Sequence, residues 1–142
     1  FLSKRGWPPA RTVIFGRSLG AAVSLEAALN SSPAGLIMES AFTSIAAMGR
    51  HHYPLIQRLL GWLIGAKYDN LKKIAGLESP LLLIHGKGDS ICPPRMAEEL
   101  YARAPLEKQM LWIADADHNN GFIVGRCLPK DLEAGHFSMD GI

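Results

Sequence analysis

A serine between two glycines, in residues 16–20 (Gly-Arg-Ser-Leu-Gly), is the feature that most constrains how this chain can fold. Residues 12–15, which precede it, are β-branched and aromatic and predict a buried strand. Residues 21–29, which follow it, are rich in helix formers and end shortly before Pro33, so they predict a helix. The serine, Ser18, is therefore expected at a sharp turn from a strand into a helix.

Such a turn is called a nucleophile elbow, because a strained backbone presents the hydroxyl group of Ser18 above the sheet. Gly16 and Gly20 have no β-carbon, which lets the strand and the helix approach each other. The amino end of the helix directs N–H groups and a positive dipole towards the serine, so the backbone N–H of Leu19 is predicted to bind an oxyanion. The alternative, an inert turn serine that caps a helix, stays open at this point.

The alternation of strand and helix continues along the chain. Apolar runs at residues 35–38, 81–84 and 109–113 predict further strands, and residues 95–103 predict a helix between the last two. These runs are continuously apolar, which is typical of strands that helices cover on both faces. The predicted fold class is therefore α/β, a parallel sheet with crossover helices.

A stretch of about forty residues without a strand signal separates the second predicted strand from the third. We interpret residues 41–78 as a helical insertion within a single domain, residues 1–142. In an α/β sheet, a crossover this long commonly holds extra helices above the carboxyl ends of the strands, where ligands bind, so the insertion is a candidate lid. The alternative is that its apolar face only packs on the sheet.

Composition and charge argue against several other classes of protein. The net charge is +2 and the basic residues are scattered, so no nucleic-acid partner is expected. Cys92 and Cys127 lie far apart with no histidine at metal-ligand spacing, which predicts neither a disulfide framework nor a zinc site and favours a reducing compartment. The densest apolar stretch, residues 59–66, is far shorter than the roughly 20 residues of a membrane-spanning helix. The default expectation is a cytoplasmic protein.

A serine hydroxyl becomes a good nucleophile only when a base takes its proton and a carboxylate orients that base. Among the five histidines, His118 directly follows the last predicted strand, where such a base is needed. His136, in the carboxyl-terminal tail, is a second candidate. We expect His85 to pack at a strand end, and the adjacent His51 and His52 to lie on the surface.

The candidate acid is Asp89, which ends a glycine-rich loop after the third predicted strand. The glycines allow this loop to fold back and present the carboxylate to the histidine. Glu39, at the end of the second strand, is the alternative acid, and an ordinary turn aspartate at position 89 also stays open. Asp115 and Asp117 are so close to His118 in sequence that we expect them to shape its loop.

Five blocks of sequence, in the same order, resemble the small bud-emergence-type α/β-hydrolases, which include eukaryotic α/β-hydrolase-domain proteins and bacterial esterases. The blocks are residues 15–20, 39–44, 67–74, 80–89 and 117–119. The resemblance implies Ser18 as nucleophile, Asp89 as acid and His118 as base. It also implies hydrolysis of carboxylic esters or thioesters, with a small-molecule or lipid-like acyl substrate and no metal or organic cofactor. Some members are membrane-associated thioesterases, so the full-length protein is a candidate for membrane association.

The resemblance covers residues 10–120 and implies the C-terminal part of an α/β-hydrolase fold, because members of this family have strands and an oxyanion loop before the elbow strand. Residues 12–15 would then form an open apolar sheet edge, which soluble proteins normally avoid.

Two alternatives to an active esterase follow. One is a truncated, non-catalytic fragment that associates with itself or a partner through this edge. The other is a serine peptidase of the prolyl-oligopeptidase branch, which commonly has a further glycine where this chain has Ala21. The resemblance identifies residues 42–44 and 68–69 as framework.

Overall fold

The computed structural model describes residues 3–52, 68–105 and 107–121. Its helices and strands alternate along the chain as β1 (Val13–Arg17), α1 (Leu19–Leu29), β2 (Gly35–Glu39), α2 (Ile45–His52), α3 (Asn70–Lys73), β3 (Leu81–Gly86), α4 (Pro94–Arg103) and β4 (Lys108–Ile113). Short 3₁₀ turns lie at Ser3–Arg5, Pro9–Arg11 and Ile74–Gly76. Within these ranges, no helix is both long and apolar enough to cross a membrane.

The four strands form one parallel sheet in the order β1-β2-β3-β4. This confirms the predicted α/β class with helical crossovers between the strands. Because all four strands point the same way, the residues that follow them gather at one end of the sheet. Ser18 follows β1, Asp89 follows β3 and His118 follows β4, so the topology brings the three predicted site residues to the same end.

The main core lies between α1 and the sheet. Ala21, Leu25 and Ala28 recur at helical spacing and are buried. They belong to one apolar cluster with Leu36 of β2 and Leu83 of β3, which are also buried. This packing fixes the position of α1 on the sheet, and with it the position of the amino end of the helix next to Ser18.

Strand β1 forms one edge of the sheet and is largely exposed. The side chains of Val13 and Phe15 are 46% and 58% exposed, and the neighbouring α1 residues Leu19 and Val23 are also more than half exposed. The prediction that this strand is buried is wrong, because α1 packs on the face that carries Ile14 and Gly16, while in the described part of the chain the opposite face, which carries Val13 and Phe15, stays exposed. The open apolar edge expected from the family resemblance is present.

The predicted insertion is described at both of its ends, while residues 53–67 lie outside the described residues. The side-chain amide of Asn70 donates a hydrogen bond to the carbonyl oxygen of Phe42 over 2.9 Å. Ser44 and Asp69 form an antiparallel bridge. These contacts join the two ends of the insertion to each other, as framework positions would, and the function of the segment as a lid stays a prediction.

Candidate active site

Ser18 occupies a strained backbone conformation between β1 and α1. Its φ and ψ angles are 53° and −120°, a region that residues other than glycine rarely adopt. Two backbone hydrogen bonds hold the turn: the N–H of Ser18 donates to Glu39 over 2.9 Å, and its carbonyl accepts from Ala21 over 3.0 Å. The surrounding sheet and helix therefore maintain the sharp elbow that the glycine-serine pattern predicts.

The two glycines of the pattern differ in what the packing requires of them. A β-carbon on Gly16 would overlap the carbonyl oxygen of Gly20 and the hydroxyl oxygen of Ser24. A β-carbon on Gly20 would meet no atom of the described chain within 4 Å. The prediction that both positions must lack a β-carbon is confirmed for Gly16 and wrong for Gly20. Gly20 contributes to the close approach through its backbone carbonyl group, which a β-carbon on Gly16 would overlap.

The loop that carries the candidate acid packs directly against the loop that carries the candidate base. The N–H of Gly88 donates to the carbonyl of Ala116 over 2.9 Å, and a β-carbon on Gly86 would overlap the same carbonyl group. Gly86 at the end of β3 and Gly88 after it thus allow a backbone contact that larger residues would block, and this contact brings Asp89 to His118.

The three predicted catalytic side chains form one hydrogen-bonded chain. Nδ1 of His118 lies 2.8 Å from Oδ2 of Asp89, and Nε2 of His118 lies 3.1 Å from Oγ of Ser18, a residue 100 positions away in sequence. A carboxylate only accepts hydrogen bonds, so Nδ1 carries the hydrogen atom and Nε2 is left free to accept the serine proton. The arrangement suits proton transfer from Ser18 to a base that Asp89 orients.

The second carboxylate oxygen of Asp89 is held by the backbone that follows it. Oδ1 accepts hydrogen bonds from the N–H groups of Ile91, over 3.0 Å, and Cys92, over 2.8 Å. Asp89 is only 2% exposed. Both oxygens are therefore fixed, one on this turn and one on His118, which sets the direction of the carboxylate.

His85 lies behind this turn, buried at the end of β3 as the sequence predicted. Its Nε2 is 2.8 Å from the carbonyl oxygen of Cys92, and because a carbonyl only accepts, Nε2 carries the hydrogen atom. The ring meets Trp112 edge to face at 5.9 Å between centroids, and burial lowers the pKa of His85. The support that His85 gives to the Asp89 turn, through the carbonyl of Cys92, was not predicted. The histidine four residues before the acid is a sequence signal that could have indicated it.

Glu39, the alternative acid, has a different partner. Its Oε1 lies 3.5 Å from Nε of Arg17, while Nδ1 of His118 is occupied by Asp89. The structure therefore favours Asp89 as the acid. The link between Arg17 and Glu39 at the elbow was not predicted from the sequence.

Asp117 shapes the loop of His118, as predicted. Its Oδ1 accepts hydrogen bonds from the N–H groups of Asn119, over 2.6 Å, and Asn120, over 2.9 Å. Such a turn fixes the backbone on either side of the histidine. Asp115 is exposed at the start of the same loop.

Among the other histidines, the side-chain environment of His51 is described, whereas those of His52 and His136 are not. His51 is exposed on α2, as expected for a surface residue. His136, the second candidate base, lies outside the described residues, so its candidacy stays a prediction.

The predicted oxyanion donor, the N–H of Leu19, is in the first residue of α1. The first four N–H groups of a helix have no acceptor within the helix, and the dipole places partial positive charge there. An oxyanion formed on a substrate at Ser18 would therefore be close to suitable donors, and the assignment to Leu19 stays a prediction.

The comparisons with known proteins identify the class of fold to which the chain belongs. No protein-family model matches the chain. The chain is 38% identical over 112 residues to an uncharacterized protein of Mycobacterium tuberculosis, a match that covers 79% of this chain and 39% of the relative. It is 32% identical over 108 residues to alpha/beta hydrolase domain-containing protein WAV2 of Arabidopsis thaliana, covering 67% of this chain and 35% of the relative.

A solved structure agrees with these relatives on the fold. The esterase domain of a Rhodothermus marinus protein superimposes with a TM-score of 0.68 at 24% identity, over 89% of this chain and 59% of that domain. The chain belongs to the α/β-hydrolase superfamily. It spans about two fifths of the length of the curated relatives that it matches.

Proposed function

We propose that the protein is a serine hydrolase that cleaves carboxylic esters or thioesters through an acyl-enzyme intermediate. The observation that carries the proposal is the hydrogen-bonded chain from Asp89 through His118 to Ser18, which ends on a strained elbow at the start of a helix. The relatives that the chain matches are longer than the chain itself, so the proposal concerns the complete natural protein.

In the first half of the reaction, Oγ of Ser18 attacks the acyl carbonyl carbon and its proton passes to Nε2 of His118. The carbonyl oxygen becomes an oxyanion, to which the N–H of Leu19 donates. Asp89 stays ionised and holds the imidazolium through Nδ1–H. When the intermediate collapses, the bond from the acyl carbon to the leaving oxygen or sulfur breaks, and the leaving group takes the proton from His118.

In the second half, water attacks the acyl group on Ser18. His118 accepts a proton from the water and returns it to Oγ when the bond between serine and acyl group breaks. The products are a carboxylic acid and the alcohol or thiol released earlier. All protons and electron pairs balance among the three side chains, the substrate and water.

The test is turnover of a panel of p-nitrophenyl esters and acyl thioesters of graded chain length. We expect Ser18→Ala to lower kcat by at least roughly 10³-fold, because no other group supplies the nucleophile. Ser31→Ala is the matched control, since Ser31 is exposed on the surface after α1 and should leave turnover unchanged. Equal turnover in wild type and Ser18→Ala would contradict the proposal, and a preference for peptide amides would favour the peptidase alternative.

A second candidate function rests on the exposed edge of β1. Phe15 on this edge is 58% exposed, and an apolar strand with unpaired backbone groups is a template for pairing with another strand. We propose that the 142-residue chain, when isolated, associates with a second copy through this edge.

The mass of the isolated chain in solution, measured by light scattering, tests the association. We expect an oligomer that Phe15→Lys converts to a monomer. Val23→Lys is the control, because Val23 is similarly exposed but lies on α1. A monomeric wild-type chain with strong ester turnover would overturn this second candidate.

A further inference from the structure

We infer that Arg17 is a positioning residue for His118: its guanidinium group binds the backbone carbonyl of the proposed base, and Glu39 holds the guanidinium in place. The inference rests on the proposed function, since it assigns a role to Arg17 in the same hydrolytic reaction. It concerns a residue whose side chain reaches the backbone of His118 and the carboxylate of Glu39.

Arg17 is the last residue of β1 and directly precedes Ser18. Its Nη2 donates a hydrogen bond to the carbonyl oxygen of His118. The elbow strand is thus linked to the loop of the base through two independent contacts, one from the serine hydroxyl to the imidazole and one from the arginine to the backbone. The second contact persists while the serine hydroxyl reacts.

Glu39 is placed by the sheet to hold Arg17. The parallel register puts Arg17 of β1 beside Glu39 of β2, and the ion pair spans 3.5 Å from Nε to Oε1. The glutamate side chain is only 14% exposed, and a β-carbon on Gly121 would lie 3.0 Å from its Oε1. The glutamate is therefore largely shielded, whereas the Arg17 side chain is 39% exposed, so water screens the ion pair on the arginine side.

The chemistry of arginine suits this double contact. A guanidinium group donates in several fixed directions at once, so Nε can face Glu39 while Nη2 faces the carbonyl of His118. Lysine has one compact ammonium group, which can bind either Glu39 or the carbonyl of His118 but cannot reproduce both contacts in the same geometry. The turn made by Asp117 orders the loop internally, whereas Arg17 connects the loop to the sheet.

The position of His118 matters because its two ring nitrogens must reach two different partners. The distances are 3.1 Å to Ser18 and 2.8 Å to Asp89. A displacement of about 1 Å in a catalytic group can cost on the order of 10²-fold in rate. Loss of the Arg17 contact should therefore appear in kcat, because the contact acts on the position of the proposed base.

The experiment compares ester turnover by wild type, Arg17→Ala, Arg17→Lys and Glu39→Gln in the complete natural protein. Arg95→Ala is the matched control, because Arg95 forms an exposed ion pair with Glu99 on α4. We expect Arg17→Ala to lower kcat by roughly 10- to 100-fold with KM nearly unchanged. Smaller losses are expected for Arg17→Lys and Glu39→Gln, and none for Arg95→Ala.

Chemical rescue separates positioning from a general structural effect. Millimolar guanidinium chloride should restore part of the kcat of Arg17→Ala, because a free guanidinium ion can occupy the vacated site, and should leave wild type and Arg95→Ala unchanged. The inference is overturned if kcat is unchanged in Arg17→Ala, if only KM rises, or if neither guanidinium nor lysine restores activity. If wild type itself turns over no ester, the proposed function fails and this inference falls with it, an outcome distinct from an active wild type with an unaffected Arg17→Ala.

Discussion

Nδ1 of His118 and Oδ2 of Asp89 lie 2.8 Å apart, although the two residues are 29 positions apart in the sequence and belong to different loops. The loops follow β3 and β4, which are parallel neighbours in the sheet, so both emerge at the same end. The backbone contact between Gly88 and Ala116 then closes the remaining gap. The short distance between His118 and Asp89 therefore results from the order of the strands and from the small residues at the contact between the two loops.

Substitution of Asp89 tests whether this pair serves catalysis. We expect Asp89→Asn to lower kcat by about 10⁴-fold, because a neutral amide neither stabilises the imidazolium nor fixes the hydrogen on Nδ1. Steady-state ester hydrolysis measures the effect. Asp115→Asn is the control, since Asp115 is exposed on the loop of His118 and should retain wild-type kcat. Comparable activity in the two variants would show that Asp89 is not the catalytic acid.

The elbow glycines should respond differently to the same added methyl group. Gly16→Ala forces a β-carbon into the backbone of Gly20, and we expect it to lower the free energy of unfolding by roughly 1–3 kcal/mol. Gly20→Ala should be neutral or slightly stabilising, because open space surrounds the position in the described chain and alanine favours a helix. Urea unfolding of both variants provides the measurement. A larger loss in Gly20→Ala than in Gly16→Ala would be inconsistent with the packing described here.

The main elements and the three central side chains follow from local sequence signals. Apolar runs, glycine-rich turns and the order of serine, acid and histidine are visible without knowledge of distant contacts, and they placed Ser18, Asp89 and His118 at the ends of strands. The local pattern of residues 12–15 predicted a buried strand, and the exposed edge that includes Phe15 followed only from the family resemblance, because an apolar strand in the middle of a sheet and one at its edge look the same in sequence. The ion pair between Arg17 and Glu39 was missed because it depends on the register between two strands.

His85 predicts an acid-sensitive contribution to stability. Burial lowers the pKa of His85, while its hydrogen bond to Cys92 and the carboxylates of Asp89 and Glu39 oppose this effect, and the nearby His118 reinforces it. As the pH falls below the ordinary value of 6.5, the unfolded chain binds a proton that the folded protein still excludes. The free energy of unfolding is therefore expected to decrease as the pH drops from 6.5 towards the lower pKa of the folded state.

Urea unfolding over a pH series in wild type and His85→Gln measures this contribution. Glutamine keeps an N–H donor for the carbonyl of Cys92 but does not titrate, so the decrease below pH 6.5 should become shallower. Ser31→Ala, an exposed substitution that changes no titratable group, is the control and should keep the wild-type pH dependence. Identical pH dependence in wild type and His85→Gln would rule out a titrating contribution from His85.

Cys92 is expected to be chemically inert in the folded protein. Burial, with a smaller effect of Asp89, raises the pKa of its thiol to about 12, so only about 10⁻⁵ of the thiol would be ionised at pH 7 and about 10⁻⁴ at pH 8. Alkylation by iodoacetamide can be followed in a Cys127→Ser variant, in which Cys92 is the remaining cysteine. We expect very slow reaction in buffer and fast reaction in urea. Fast alkylation of the folded protein would contradict the buried environment described here.

The central claim is that Ser18 is a nucleophile activated by His118, and a fluorophosphonate probe tests it most directly. The complete natural protein would be treated with the probe, digested and analysed by mass spectrometry, alongside Ser18→Ala and His118→Ala. The account predicts one adduct, on Ser18, which is absent in Ser18→Ala and forms far more slowly in His118→Ala. An adduct on another residue that persists in Ser18→Ala would contradict it.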